Sequence, residues 1–340
     1  MRTSFFSRSA AGLVWVVLSA APAGAQIFES VGTRAQGMGG AFVAVADDAT
    51  ASWWNPAGLA SGATLNILYE HGRITEPTET SGLVPASQTT PNSFAAAFPA
   101  MGVSYYRLRI SQLRPLASVV TPLAVRQDLL TGGVALRALA YSQFGATVGQ
   151  SLGRHLVVGS TAKLVRAGAA VGTALPGTDA LEAANDLDVP QTRRADLDLG
   201  VMGMFGRLKA GLSVKNVIAP DFGAEAGGFK LERQARAGVA FLSPGRQSSQ
   251  GYTLSFDADL TRNPTIFGDV RHIATGGEAW LGSHVGVRGG FTSNTVGEHR
   301  PAWSAGLSFA LSKGVYVDIS RVWGTDETLR AWSTTVRLAF

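Results

Sequence analysis

"DLDLGVMGMF", residues 196–205, sets Leu197, Leu199, Val201 and Phe205 on one parity and Asp196 and Asp198 on the other. A helix would repeat its apolar positions every three to four residues; a repeat of two belongs to an extended strand with unlike faces. Ten residues is also the length a tilted strand needs to cross the hydrocarbon of a membrane. The pattern recurs in "YTLSFDADLT" (252–261), with Tyr252, Leu254, Phe256, Ala258 and Leu260 on one side. It recurs again in "WSAGLSFAL" (303–311), with Trp303, Ala305, Leu307, Phe309 and Leu311.

Extended along the chain, the same reading predicts about fourteen strands, near 63–70, 92–98, 102–110, 133–150, 155–168, 194–205, 208–218, 230–242, 251–261, 269–281, 284–292, 302–311, 314–322 and 331–340. The connections between them alternate. The polar stretch 71–91 is followed by the short "PAM", the long 111–132 by "LGR", and the long 169–193 by "GR". Only "SPGRQSSQ" (243–250) interrupts this rhythm. Long loops on one side and tight turns on the other are the habit of a transmembrane antiparallel β-barrel. The chain ends in "AWSTTVRLAF", where Trp332, Val336, Leu338 and Phe340 share one parity. This last strand is expected to pair with the first and so remove both sheet edges. Its terminal Phe resembles the assembly signal read by the barrel-assembly machinery of bacterial outer membranes.

Composition agrees. Arg2 and Arg8, the apolar run "AAGLVWVVLSA" and the small residues before Gln26 make residues 1–25 a secretory signal peptide. Loss of those two arginines takes the net charge from +5 to +3, too small and too dispersed to suggest a nucleic-acid partner. There is no cysteine, so an exported chain of this size is held by packing or by a membrane rather than by disulfides. No later apolar run is long enough for a membrane helix.

If the apolar parity faces lipid, the other faces a lumen. That parity carries Arg137, Lys163, Lys215, Lys230, Arg236, Arg288 and Arg337, opposed by Asp196, Asp198, Glu232, Asp257, Asp259, Glu278 and Asp318. Balanced signs point to ion pairs that prop the barrel and tie down a plug, or to a hydrated lumen, rather than to a single-sign ion filter. Catalytic motifs fail. "GQSLG" (149–153) matches a nucleophile elbow but falls between strands; "GMGG" (37–40) has no third glycine of a dinucleotide fingerprint. The five histidines lack metal-ligand spacing. Asp47 and Asp48 lack the other ligands of a calcium loop, and Asp48 is expected to cap the helix of "ATASWW". No enzyme, cofactor or metal is expected.

The segment "GTRAQGMGGAFVAVADDATASWWNPAGLA" (32–60), behind a signal peptide and ahead of a barrel, resembles the FadL-like outer-membrane superfamily, and within it the PorV/PorQ-like branch. "AGLSVKNVIAPDFG" (210–223) and "HIATGGEAWLGSHVGVRGGF" (272–291) carry the likeness further along the chain. The resemblance implies an all-β, 14-stranded barrel at 63–340, with residues 26–62 folded inward as a hatch. In that hatch, Gly37, Gly39 and Gly40 pass close to the wall, Asp47 and Asp48 serve a short helix, and Asn55-Pro56 ends it and leads into the first strand.

Two functions follow. One is transport of small hydrophobic, fatty-acid-like compounds across the outer membrane, with Phe42, Trp53 and Trp54 as an apolar wall for the ligand. The polar loop 73–90 speaks against long-chain fatty acids, and only "IAPDF" and "RPLASVVTPLAV" are greasy enough to catch substrate. The other is a PorV/PorQ-like scaffold or shuttle at the cell surface, with a secretion-system or secreted protein as partner. Membrane lipid surrounds the barrel in both.

Overall fold

Alternation becomes a closed wall. The computed structural model describes residues 31–61, 65–76, 87–115, 134–174, 180–228, 230–243, 251–265, 268–297, 299–324 and 330–340. The leader at 1–25 lies outside them, as does most of "RPLASVVTPLAV". Fourteen strands form the barrel: β1 (Asn66–Glu76), β2 (Ser87–Phe98), β3 (Met101–Pro115), β4 (Val134–Leu152), β5 (Leu156–Ala174), β6 (Thr192–Phe205), β7 (Leu208–Lys215), β8 (Gln234–Leu242), β9 (Tyr252–Asp259), β12 (His272–Leu281), β13 (Val285–Asn294), β14 (Ala302–Ser312), β15 (Val315–Gly324) and β16 (Arg330–Ala339). Between β9 and β12 a separate ribbon, β10 (Asn263–Thr265) with β11 (Gly268–Val270), stands off the wall. Every neighbouring pair in the barrel is antiparallel and sequential, and β16 closes on β1 from Asn66 opposite Ala339 to Thr75 opposite Arg330. Phe340 completes the seam by exchanging backbone hydrogen bonds with Leu65 at 2.9 and 3.1 Å.

Burial is inverted relative to a water-soluble protein. Tyr69, Phe94, Tyr105, Phe144 and Leu164 lie opposite one another across five successive strands, all on the outer face and all exposed. Asp198 and Asp257, on the inner face, are 0% exposed. A row of large apolar side chains directed outward is stable only against hydrocarbon.

Several strands run further than their apolar alternation. β1 continues through polar His71–Glu76, β2 begins at Ser87 rather than at 92, and β5 reaches Ala174. The first loop shrinks to 77–86 accordingly. β2 even runs through Pro91, which gives up one ladder donor. The reason is that extended backbone beyond the apolar band is held by ladder hydrogen bonds alone, with no demand for apolar side chains. β4 and β5, at 19 residues each, reach about 60 Å along the strand, well beyond the ~25 Å apolar band. Their projecting outer face is covered by α3 (Ala180–Asp186), where Ala180 and Ala184 pack with Leu113, Val134 and Leu136, and by Val189 against Ala138 and Ala140. The connection 169–193, expected as a loop, is therefore strand, helix and strand. At the same end β8 starts at Gln234, so Lys230 and Glu232 are loop residues, half exposed and paired at 3.2 Å rather than set in the lumen wall.

A wall hydrogen-bonded all the way round resists detergent at room temperature. Unboiled protein is expected to run faster on a gel than boiled protein; one mobility in both states would rule out the closed barrel.

Candidate functional site

Residues 31–61 lie inside the barrel, and almost all of them are fully buried. Their path is set by close approach. After α1 (Thr33–Gly37) the chain reverses at Gly39 and Gly40, whose φ angles of 66° and 81° are in the left-handed region. A Cβ on Gly39 would stand 2.7 Å from the backbone nitrogen of Phe291, so this position excludes any side chain for two independent reasons. Gly37 meets wall backbone too: its Cβ would be 3.2 Å from the Cα of Gly306. The wall reciprocates where Gly200 receives Asn55 and Gly159 receives Pro56.

The short helix α2 (Ala51–Trp54) is capped differently from the sequence expectation. Its N-cap is Thr50, without a side-chain cap bond. Asp48 sits two residues earlier and turns its carboxylate onto Thr50 itself, accepting from the backbone N–H at 2.9 Å and from the hydroxyl at 2.5 Å. Its second oxygen is taken by Arg34 at 3.2 Å, which leaves it an Asx turn rather than a helix cap. Asn55 ends α2 with φ −160° and ψ 104°, as the residue before a proline must. It donates to the carbonyls of Val43 and Val201 at 3.0 and 3.2 Å, binding hatch to hatch and hatch to wall. Pro56 opens a 3-10 turn (Pro56–Ser61) before β1 begins, so the chain does not pass straight into the strand.

The charged side of the lumen grips the first half of this segment. Arg34 forms a bidentate pair with Glu278, both contacts at 2.7 Å, and reaches Asp47 at 2.5 Å. Glu278 also accepts from Arg288 at 2.6 Å; Arg288 extends to Asp318 at 3.4 Å, and Arg337 binds the other Asp318 oxygen at 3.0 Å. Burial alone would lower the Arg34 pKa; the charge of Glu278, the hydrogen bonds to it and the charge of Asp48 reverse that and raise it, so the guanidinium stays charged. Two further wall carboxylates hold hatch backbone. Glu70 accepts from the Gly32 N–H at 2.8 and 3.0 Å, and Asp257 accepts from the Phe42 and Val43 N–H groups, each at 2.8 Å.

A second cluster sits apart from the first. Lys163 binds Asp198 at 2.7 Å, Asp196 at 3.1 Å and the side-chain oxygen of Asn216 at 2.7 Å. Asn216, with φ 55°, donates onward to the Glu232 carbonyl, so this cluster anchors the loop between β7 and β8 rather than the hatch. Arg236 pairs with Asp259 at 2.6 Å. Arg137 is half-buried on β4, opposite Gln112 and Val171, away from the Glu278 network.

The aromatic trio Phe42, Trp53 and Trp54 is enclosed. Trp53 stacks edge-on to Tyr106 with centroids 4.9 Å apart, and the Lys215 ammonium lies 3.1 Å from its ring centroid. Phe42 and Trp54 meet edge to face at 6.1 Å, while Arg34 lies over Phe42 and the Trp54 indole N–H donates to the Val31 carbonyl. These rings pack the hatch against the wall and leave no face open to a ligand.

Apolar surface inside the barrel comes from residues the sequence reading did not single out. Leu108, Ile110, Leu139, Tyr141 and Val165 face inward from β3, β4 and β5 and form one buried cluster with Phe222 and Leu231 of the β7–β8 loop. "IAPDF" thus contributes Phe222, buried, while Ile218 stays exposed. Arg34, Glu70 and Tyr106 were missed as well, because each acts through a partner remote in sequence: Arg34 and Glu278 are 244 residues apart. Among the described residues no group of His, Cys, Asp or Glu could hold a metal. Trp332, Val336 and Leu338 lie on the outer face of β16, and Phe340 is exposed at its end.

Glu278→Ala takes from two buried guanidiniums the carboxylate they share, leaving Arg34 to Asp47 and Asp48 and Arg288 to Asp318, a loss of about 3 kcal/mol. The temperature at which the unboiled band converts to the boiled one should fall, and the N-terminal segment should become open to protease. An unchanged conversion temperature would mean the network does not hold the hatch.

Comparisons place this architecture among known proteins. In the solved structures, the fold is similar to the CymD monoaromatic hydrocarbon channel (TM-score 0.63, 14% identity, 91% of this chain and 97% of that one). It is also similar to the Ralstonia pickettii toluene transporter TbuX (0.59, 13%, 92% and 99%) and the P. putida toluene transporter TodX (0.55, 13%, 92% and 99%). At such identities the likeness is one of fold. No curated protein matches significantly in sequence. A family model does, across residues 32–259. That span takes in the hatch and the wall from β1 to β9, and on it the chain belongs to the family described as "F plasmid transfer operon, TraF, protein".

Proposed function

We propose that this chain is an outer-membrane channel for small hydrophobic compounds, organised as a leader at 1–25, a hatch at 26–62 and a barrel at 63–340. The observation that carries the proposal is the two-sided lumen. Leu108, Ile110, Leu139, Tyr141 and Val165 line β3–β5 beneath Phe222 and Leu231, flanked on β5–β6 by Lys163 with Asp196 and Asp198, whereas the larger network of Arg34, Glu278, Arg288, Asp318 and Arg337 occupies the side of β12–β16. A compound without charge gains by following the apolar side and leaves the Glu278 network untouched. The solved structures of similar fold are named as channels or transporters of monoaromatic hydrocarbons or toluene, which supports compounds of that size. A PorV/PorQ-like scaffold rests on the sequence motifs and on exposed loops; an apolar cluster enclosed in the barrel would be of no use to it. Partners beyond lipid and ligand, the barrel-assembly machinery among them, are part of the proposal. The residues Trp332, Val336, Leu338 and Phe340 would form that machinery's signal.

Uptake of a radiolabelled monoaromatic hydrocarbon into proteoliposomes tests the reading. Val165→Asp places a carboxylate in the apolar side and should reduce uptake at least about tenfold, while the heat-dependent gel shift persists. Uptake that is equal in the wild type and in empty liposomes would overturn the transport function. Deleting residues 26–60 should raise single-channel conductance; unchanged conductance would show that the segment does not obstruct the lumen.

A further inference from the structure

Charge on the outward side chains of the barrel strands is of one sign. Among the described strand residues whose side chains point outward, none is Asp or Glu, and every charged one is arginine. Three of them form part of a continuous row. Arg107 on β3 lies opposite Ser142 on β4, Ser142 opposite Arg166 on β5, and Arg166 directly opposite Arg193 on β6. All three arginines are exposed. A second group flanks the seam, where Arg73 on β1 lies opposite Trp332 on β16, and Trp332 opposite Arg321 on β15.

The row has a definite height. Arg107 and Arg166 each follow, two residues along their strands, the outward Tyr105 and Leu164 of the apolar band. That is about 7 Å nearer the long loops. The guanidiniums therefore stand where hydrocarbon gives way to headgroups, on one rim only. Like charges directly opposite on one face of a sheet repel. Among the described residues Arg166 and Arg193 make no ion pair, and none of those residues relieves that repulsion. A phosphate does so well, because the planar guanidinium donates two parallel hydrogen bonds to its oxygens. Basic residues at a membrane surface attract anionic headgroups in the same way.

We infer that the outer rim of β3–β6 is a binding surface for phosphorylated lipid headgroups of the leaflet facing the long loops. The inference rests on the membrane reading above. The site lies on the wall's outer face, on the opposite side of the sheet from the lumen and hatch, and it is independent of what passes through. Bound lipid would fix the depth and tilt of the barrel by holding the strands that also carry the apolar side of the lumen.

The test reconstitutes the full chain into vesicles of phosphatidylcholine containing roughly a tenth phosphatidic acid, extracts it in mild detergent and measures the lipid retained. Wild-type protein is expected to retain phosphatidic acid at about tenfold above its bulk ratio. Arg107→Gln, Arg166→Gln and Arg193→Gln together should return the ratio to bulk. The matching triple lysine variant keeps the charge but not the paired donors, and should fall between. A bulk ratio in the wild type, or enrichment that survives the glutamine variant, would overturn the rim site. The heat-dependent gel shift is read on the same samples. If it stands while enrichment is absent, only the rim site fails; if it is absent as well, the membrane barrel fails with it.

Discussion

Hydrocarbon offers no partner to a backbone N–H, so a sheet that crosses it cannot keep an edge. The pairing of β1 with β16 answers that constraint, and the rest of the molecule follows from it. Closure makes a hollow interior. A hollow lined by strand residues must be filled or flooded, and here the chain's own N-terminal segment fills it. Residues 31–61 carry backbone groups with little regular structure to pair them, so the wall has to supply acceptors at the right heights. Glu70 and Asp257 are those acceptors, each receiving hatch N–H groups from the inner face of a strand.

The same logic explains why so many charges are buried. Taking Arg34 and Glu278 out of water costs several kcal/mol, and the Coulomb attraction between them offsets this only when geometry is good. A bidentate contact with both distances at 2.7 Å, extended through Arg288 and Asp318 to Arg337, is such a geometry. Its value lies less in net stability than in register: a hatch shifted by one residue would leave Glu278 facing no hatch guanidinium and Arg34 with no wall carboxylate. Glycine on both sides of the contact permits this, since Gly39 against the Phe291 backbone and Pro56 against Gly159 bring main chain against main chain.

The barrel was legible in the sequence because lipid and lumen impose unlike chemistry on alternate residues, as in Asp196–Phe205. Strand ends were not, since β1 past His71 and β5 up to Ala174 are held by backbone ladders that leave no side-chain pattern. The hatch was legible from its glycines and its Asn-Pro step, but its cap was not: Asp48 looked like an N-cap by spacing and became an Asx turn because Arg34 claims its other oxygen. Lumen charges could be placed on the right parity, yet their partners could not, because pairing in a closed barrel depends on strand register across the full circumference. The apolar side of the lumen escaped notice for a related reason. Leu108, Leu139 and Val165 stand on the parity read as polar, and only the infolding of Phe222 and Leu231 turns them into one surface.

How the two halves of the hatch are held differs in a way that bears on opening. Residues 32–48 are fixed by directional charge-assisted contacts to Glu70, Asp257 and Glu278. Residues 49–61 are fixed by neutral hydrogen bonds, the Ser52 hydroxyl to Tyr106 at 2.8 Å and Asn55 to the Val201 carbonyl at 3.2 Å, by the Lys215 ammonium over the Trp53 ring, and by close packing on Gly159 and Gly200. Charge-assisted hydrogen bonds are roughly twice as strong as neutral ones. Under one load the second half therefore yields before the first. That half is also the one lying against β3–β6, beneath the apolar cluster. An uncharged compound arriving from that cluster meets the half with the weaker hydrogen bonds. In the proposed channel, then, the first half of the hatch acts as the tether and the second half as the part that moves.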